Sequence, residues 1–420
     1  MKKSLRRFIY ILISLSIFSL ALIFVSKALM RDETYNKYET FKQSNTDYDV
    51  LFLGSSHVLN AIFPMQLWND YGITSYNLAW HSMSVVPNYW ILQTSVLYHK
   101  PKIAVLDILG INNSSKGVSR GNFHGFYDNF PITKPKISAN NDLFPSTKER
   151  MEFLIPFTFY HNNWYGKNPL SKIKQGIKRE LRLYSPHVTK GADLRIGVKI
   201  NETFNMSVNK YEGKESAGIE YAKKFIEYCR NNEIEPVFVF IPYSEQGNLY
   251  EWRDALISIL EEEKVLFIDL TDGVVDFDID QFDQNSHVNP SGARKVTDAI
   301  GKALVHNYLL ENHKDDKKFA SWNDDYEKYK DFLFSKIEEQ SDFKNLLMML
   351  NNSEVYAKMS TKSNVSFNET ERKLIFGNWS KIDFAKNDDL DCDVQVEVFS
   401  EENNSLICER KYNIDKVAVQ

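Results

Sequence analysis

Cysteine is nearly absent. Cys229, Cys392 and Cys408 are the three in 420 residues, too few for a disulfide-stapled scaffold. Cys392 and Cys408 fall beside one expected hairpin, with strands over 393–400 and 405–412. That register sets Cys408 opposite Glu397, five residues from Cys392, or about 17 Å at ~3.4 Å per residue. A bridge needs Cα atoms within about 7 Å, so these thiols are expected to be unpaired. An excess of one charge is missing too: 51 Lys and Arg stand against 56 acids, a net −5, which leaves no basic footprint for nucleic acid. No spacing of His, Cys, Asp or Glu resembles a metal-ligand set, so neither metal nor cofactor is expected. Beyond residue 30 no apolar run is long enough to cross a bilayer.

One such run lies before it. Lys2, Lys3, Arg6 and Arg7 precede a charge-free stretch over 8–26 rich in Ile, Leu, Phe and Val. At ~1.5 Å per residue a helix of that length covers roughly 28 Å, about the hydrocarbon thickness. The basic flank predicts a cytoplasmic N-terminus and an extracytoplasmic body. The rival is a cleaved signal peptide, for which Ser26-Lys27-Ala28 is a poor cleavage site. The length of the run favours an uncleaved, single-pass signal anchor over 1–30. Residues 31–47 are polar and read as a stalk.

The hydrophobic fraction of 43% and aromatic fraction of 14% are those of a folded chain, and the length allows more than one domain. From Tyr48 onward, short apolar runs at 50–53, 75–78, 103–109, 236–242 and 265–270 alternate with helical patterns at 87–98, 217–231, 249–262 and after 289. That alternation predicts an α/β fold, a parallel sheet covered on both faces, with its active site at the carboxyl ends of the strands. The alternation breaks over 112–216. This insertion is rich in aromatics (Phe123, Phe126, Tyr127, Phe130, Phe157, Phe159, Tyr160, Trp164) and in basic residues (Lys172, Lys174, Lys178, Arg179, Arg182). It is expected to line a substrate cleft, to form a helical cap with its own small core, or both. Residues 313–420 are more charged at first, then helical, then strand-like, and read as a separate α+β appendage.

Two segments carry chemistry. The strand at 50–53 runs into Gly54-Ser55-Ser56-His57, which places Ser56 in a sharp turn at a helix N-terminus. Backbone N–H groups and the helix dipole there stabilise an oxyanion. A plain helix cap is the simpler reading of Gly-Ser-Ser. Far downstream, His287 is followed by Asn289-Pro290, a good N-cap and first helical residue. His287 is thereby held at the strand-end face as a candidate general base. Asp283 is the nearest orienting acid, with Asp280 and Asp278 behind it. His57 is expected to point down the helix it begins, which removes it as a base.

Together these segments resemble the SGNH (GDSL-type) hydrolase superfamily, over roughly residues 48–306. The resemblance implies a three-layer α/β/α sandwich and a Ser-His-Asp triad of Ser56, His287 and Asp283. Gly54-Ser55-Ser56 looks like the family's Gly-Asp-Ser block, with Ser55 in place of aspartate. Asn77-Leu78-Ala79 looks like the second block, with Ala79 in place of glycine, a change that requires a negative φ. Gly110-Ile111-Asn112-Asn113 looks like the third. By that likeness the Ala79 N–H and the Asn112 side chain, with the Ser56 N–H, form the oxyanion hole. Asp283 lies four residues before His287, where the family usually has three. The anchor, the His-x-Asn-x-x-Gly-Ala end and Phe159-Tyr-His-Asn-Asn-Trp164 resemble a membrane-anchored branch. Its members are the D-alanine transfer protein of teichoic acid synthesis and the alginate and cellulose O-acetylation proteins. That branch implies a membrane-bound O-acyltransferase as partner and a cell-surface polymer as acyl acceptor. Plain O-acyl esterase activity, or a non-catalytic assembly role, remains the alternative.

Overall fold

A computed structural model of the chain describes residues 3–28, 32–113, 116, 118–156, 159–160, 168, 170–171, 174, 177–178, 186–198, 210–213, 215–243, 248–283, 287–377 and 381–413; side chains are described for residues 3–25 and from 34 on. Five short strands form the main sheet: β1 (Val50–Leu53), β2 (Ser75–Asn77), β3 (Ile103–Asp107), β4 (Glu235–Phe240) and β5 (Leu266–Asp269). All neighbours are parallel, in the order β2-β1-β3-β4-β5. Every residue of β1, β2 and β3 is buried, as unbroken apolar runs demand of strands covered on both faces. The winding reverses between β1 and β3, so a crevice opens beyond their carboxyl ends.

Helices α3 (Ser56–Ala61), α4 (Pro64–Tyr71) and α11 (Pro290–Asn307) pack together on one side, and α5 (Val85–Ser95) packs on α9 (Ala217–Asn231) on the other. The chain is thus the expected three-layer α/β/α sandwich. Helix α10 (Leu249–Glu262) completes the β4–β5 crossover. At the N-terminus, α1 (Lys3–Ala28) contains an apolar stretch, Lys3–Val25, long enough to cross a membrane, a property shared by anchors and signal sequences.

The stalk expectation is corrected. Residues 32–42 form helix α2 (Asp32–Lys42), and Thr34, Lys37, Tyr38 and Phe41 along one stripe of it are at most 1% exposed. Tyr38 and Phe41 sit in the main core with Tyr48 and Tyr76. The polar composition of the segment hides an aromatic face at i, i+3 spacing.

The insertion is corrected in part. Its described helices are α6 (Arg120–Tyr127), α7 (Lys134–Leu143) and α8 (Thr147–Leu154). Their Phe123, Phe126, Tyr127 and Phe153 join the main core rather than a small one of their own. Lys174 and Lys178 are exposed. Phe157, Trp164, Lys172, Arg179 and Arg182 lie outside the described residues.

The appendage begins later than residue 313. Phe319, Trp322, Tyr329 and Leu333, the last three on α12 (Ala320–Glu338), belong to the main core. The second core starts near Ile337. It is built from α13 (Phe343–Met349), α14 (Glu369–Phe376) and the sheet β7-β6-β8-β9, made of β6 (Val355–Thr361), β7 (Ile382–Lys386), β8 (Val394–Ser400) and β9 (Leu406–Tyr412). Asn351 Nδ2 donates to Ser291 Oγ at 2.7 Å, and Lys373 reaches Asp276 at 2.9 Å and Asp278 at 2.6 Å, joining the two units. The β8–β9 register differs by one residue from expectation, with Cys408 opposite Val398 beside an irregularity at Val398 and Phe399. The three cysteines are free and buried.

Candidate active site

Ser55, not Ser56, caps α3. Its Oγ accepts the His57 N–H at 3.2 Å, which leaves Ser56 as the first helical residue, half-buried at the end of β1. Gly54 is required by contact: a Cβ there would meet Val58 Cγ2 at 2.4 Å and Asp107 Cβ at 2.9 Å.

His287 arrives from a narrow return of the chain. Gln281 bridges Val288, the Phe282 N–H donates to His287 O at 2.7 Å, and the Asn289 N–H donates to Asp280 O at 2.8 Å. Asn289 then caps α11 through the Gly292 N–H (3.2 Å) and ties back to Ile279 O (2.7 Å). The result is a continuous line of contacts. His287 Nε2 lies 2.7 Å from Ser56 Oγ, and His287 Nδ1 lies 2.9 Å from both Asp283 oxygens. A carboxylate only accepts, so Nδ1 carries the proton and Nε2 is free to accept from the serine. Among the three candidate acids, Asp283 alone meets the imidazole. Asp280 binds Ser291 and Lys295, both at 2.6 Å, and Asp278 binds Lys373.

The His57 expectation is corrected. Its ring does not run down α3 but lies 4.7 Å from the His287 ring at 31°, with Tyr243 at 5.1 Å on another side. His81 is near enough to feel the His287 charge. Burial first, then Arg195, holds its imidazole below the ordinary histidine range, with Asp193 opposing.

The oxyanion candidates divide. Ala79 has no positive φ, as its substitution for glycine requires, but its N–H donates to Asn77 Oδ1 at 3.1 Å. Asn77 is a staple, whose Nδ2 donates to Val58 O (2.8 Å) and Ile62 O (2.9 Å) of α3 and its exit. Asn112 is half-buried in the turn after β3. Leu53 pairs with Leu106, so the turns carrying Ser56 and Asn112 open side by side.

The chain resembles solved GDSL-type proteins. A GDSL-like lipase from Bacteroides thetaiotaomicron is 7% identical, with a TM-score of 0.34 over 65% of this chain and 98% of its own. A protein of the G-D-S-L family from Desulfitobacterium hafniense is 14% identical, with a TM-score of 0.31 over 61% of this chain and 98% of its own. No family model matches the sequence, and no curated protein matches it.

Two buried ionisable groups beneath the site escaped sequence reasoning. Lys37 of α2 donates to Ala79 O at 2.6 Å and to Gly191 O at 2.7 Å. Burial pushes its ammonium down to about 7, with Asp193 opposing. Asp107, at the end of β3, is 1% exposed. Burial pushes its carboxyl up to about 7, against the backbone N–H groups of Leu109, Ile241 and Ile108 and the Ser55 hydroxyl. The one sequence signal for Asp107 was an acid closing an apolar strand.

A stability prediction follows from Asp107. Its folded pKa is raised, so the native state holds a proton that the unfolded chain releases near pH 4. Unfolding free energy is expected to fall as pH rises from about 4 to about 7, by on the order of a few kcal/mol. Denaturant midpoints at pH 5 and pH 8 measure it. Asp107→Asn should remove that part of the slope, and an unchanged slope contradicts it.

Proposed function

We propose that this chain is a serine acyl-transfer enzyme of the SGNH (GDSL-type) kind. In this reading α1 holds it in a cell membrane with its body outside, where it moves O-acyl groups onto a surface polysaccharide or teichoic-acid-like polymer. The observation that supports the chemistry is the Ser56–His287–Asp283 line, with 2.7 Å and 2.9 Å contacts.

In this mechanism Ser56 Oγ attacks the donor's acyl carbon while His287 Nε2 takes its proton, and Asp283 holds the tautomer and the imidazolium. The intermediate collapses, the donor's leaving group departs with the proton from Nε2, and acyl-Ser56 remains. A polymer hydroxyl then gives its proton to His287 and attacks the acyl carbon, and as the intermediate collapses Ser56 Oγ leaves with the proton from Nε2, which restores the free serine. The Ser56 N–H and Asn112 are assigned to the oxyanion. Ala79 can join only by giving up its bond to Asn77. By the resemblance stated above, a membrane-bound O-acyltransferase supplies the acyl group.

The triad is open to water, with His287 17% and Asp283 23% exposed in their side chains, and that favours a second reading as an O-acyl esterase. Intact mass after a fluorophosphonate probe tests both: wild type gains one adduct and Ser56→Ala none. Polymer-bound acyl groups that rise with the protein support transfer, and their loss supports hydrolysis. Full polymer acylation by Ser56→Ala and His287→Ala chains in a deletion strain would reduce the protein to an assembly factor.

A further inference from the structure

The peptide unit joining Ala79 to Trp80 is held at both ends. Its carbonyl accepts from Lys37 Nζ at 2.6 Å, and its N–H, that of Trp80, donates to Gly54 O at 3.3 Å. Gly54 is two residues before Ser56. One peptide plane therefore connects a side chain of α2 to the turn that carries the serine.

The surroundings leave Lys37 little freedom. It is 1% exposed. Its second bond, to Gly191 O at 2.7 Å, fixes the loop over 186–196, whose Lys190 O accepts the Asn77 N–H at 3.0 Å. Gly191 stands where a Cβ would meet Asn77 O at 2.1 Å, with φ +95, so loop and turn are in backbone contact. The rings of Trp80 and Tyr38 lie 5.6 and 5.7 Å from the ammonium. The Tyr76 hydroxyl bonds to the Lys37 carbonyl, and Asp193 is the acid whose charge it feels.

We propose that Lys37 is a positioning residue for acyl transfer, fixing the 77–80 turn against the 54–57 turn so that Ser56 is held in register with His287. The proposal rests on the acyl-transfer reading above. It makes α2, which begins four residues after α1 ends, part of the working site. A buried carbonyl that loses its donor pays its desolvation in full, and the turn can escape that only by moving. A displacement near 1 Å at a reacting centre lowers turnover by about a hundredfold.

The test is Lys37→Met in the full chain in detergent, with an aryl acetate as substrate and a fluorophosphonate as probe. The expected result is a fall in kcat of roughly ten- to a hundredfold with KM nearly unchanged, and a parallel fall in labelling rate per folded molecule. Tyr38→Phe, altered in the same pocket, should match wild type in both. The proposal is overturned if Lys37→Met labels and turns over at the wild-type rate, if the loss lies in KM, or if Tyr38→Phe falls equally. It is also overturned if the loss lies only in the amount of folded protein. Should the methionine variant not fold, the same ratios are read in Lys37→Gln, and failure of both to fold makes the role structural and ends the proposal. A wild-type chain that takes up no label removes the acyl-transfer reading itself. Labelled wild type with an unaffected Lys37→Met removes the Lys37 role alone.

Discussion

His287→Ala and Ser56→Ala are each expected to lower turnover of an acetyl ester by roughly 10⁶-fold, and the double variant to be no worse than either. The two groups perform one act. Nε2 is 2.7 Å from Oγ, so removing the imidazole leaves a hydroxyl with no proton acceptor, and removing the hydroxyl leaves an acceptor with nothing to activate. Asp283→Asn should lose about 10⁴-fold, because an amide placed at 2.9 Å from Nδ1 can present an N–H and turn the tautomer around. Asp280→Asn is the contrast. Asp280 is fully buried against Ser291 and Lys295, so its loss should lower the unfolding midpoint and leave turnover per folded molecule close to wild type. Single-turnover acyl release, normalised to folded protein, separates the four single variants and the double one. A Ser56→Ala chain that keeps more than about a hundredth of wild-type turnover contradicts the covalent route.

These expectations were open to sequence reasoning to unequal degrees, for physical reasons. The strands of the main sheet are short apolar runs buried on both faces, and such runs stand out against amphipathic helices. The helix bounds at Ala217–Asn231 and Leu249–Glu262 were likewise readable from apolar periodicity. Ser56 stood out because it follows the end of β1 at a helix start, His287 because it stands two residues before the Asn289 cap of α11, and Asp283 because it is local to His287. Lys37 was not readable. Its partners lie 42 and 154 residues away, and a lysine in Asp32–Lys42 looks like any solvated charge. His57 was misplaced because α3 is six residues long, and its ring turns toward a loop 230 residues downstream. The register at Cys408 slipped by one because an irregularity at Val398 and Phe399 breaks the simple alternation.

A fragment beginning at Tyr48, the choice a free stalk would suggest, is expected not to fold, whereas one beginning at Asp32 should fold like the full chain. Helix α2 supplies Tyr38 and Phe41, both 0% exposed. The Tyr38 ring meets Phe126 edge-on at 4.7 Å. Phe41 stacks on Tyr48 at 5.5 Å and touches the Tyr76 and His99 rings at 5.4 and 5.3 Å. Removing one buried aromatic costs about 3–5 kcal/mol, so losing both costs roughly 6–10, against a total stability of about 5–15 kcal/mol for a domain. Neighbouring losses are not strictly additive, but the Ala79 and Gly191 carbonyls also lose Lys37, a further cost of about 1–3 kcal/mol each. Helix α1 makes no such contribution, since the side chains along its apolar length are exposed or nearly so. Thermal melts followed by circular dichroism decide between the two cuts. If the Tyr48 fragment melts cooperatively at the temperature of the Asp32 fragment, α2 is dispensable, and Lys37 can hold nothing that the site needs.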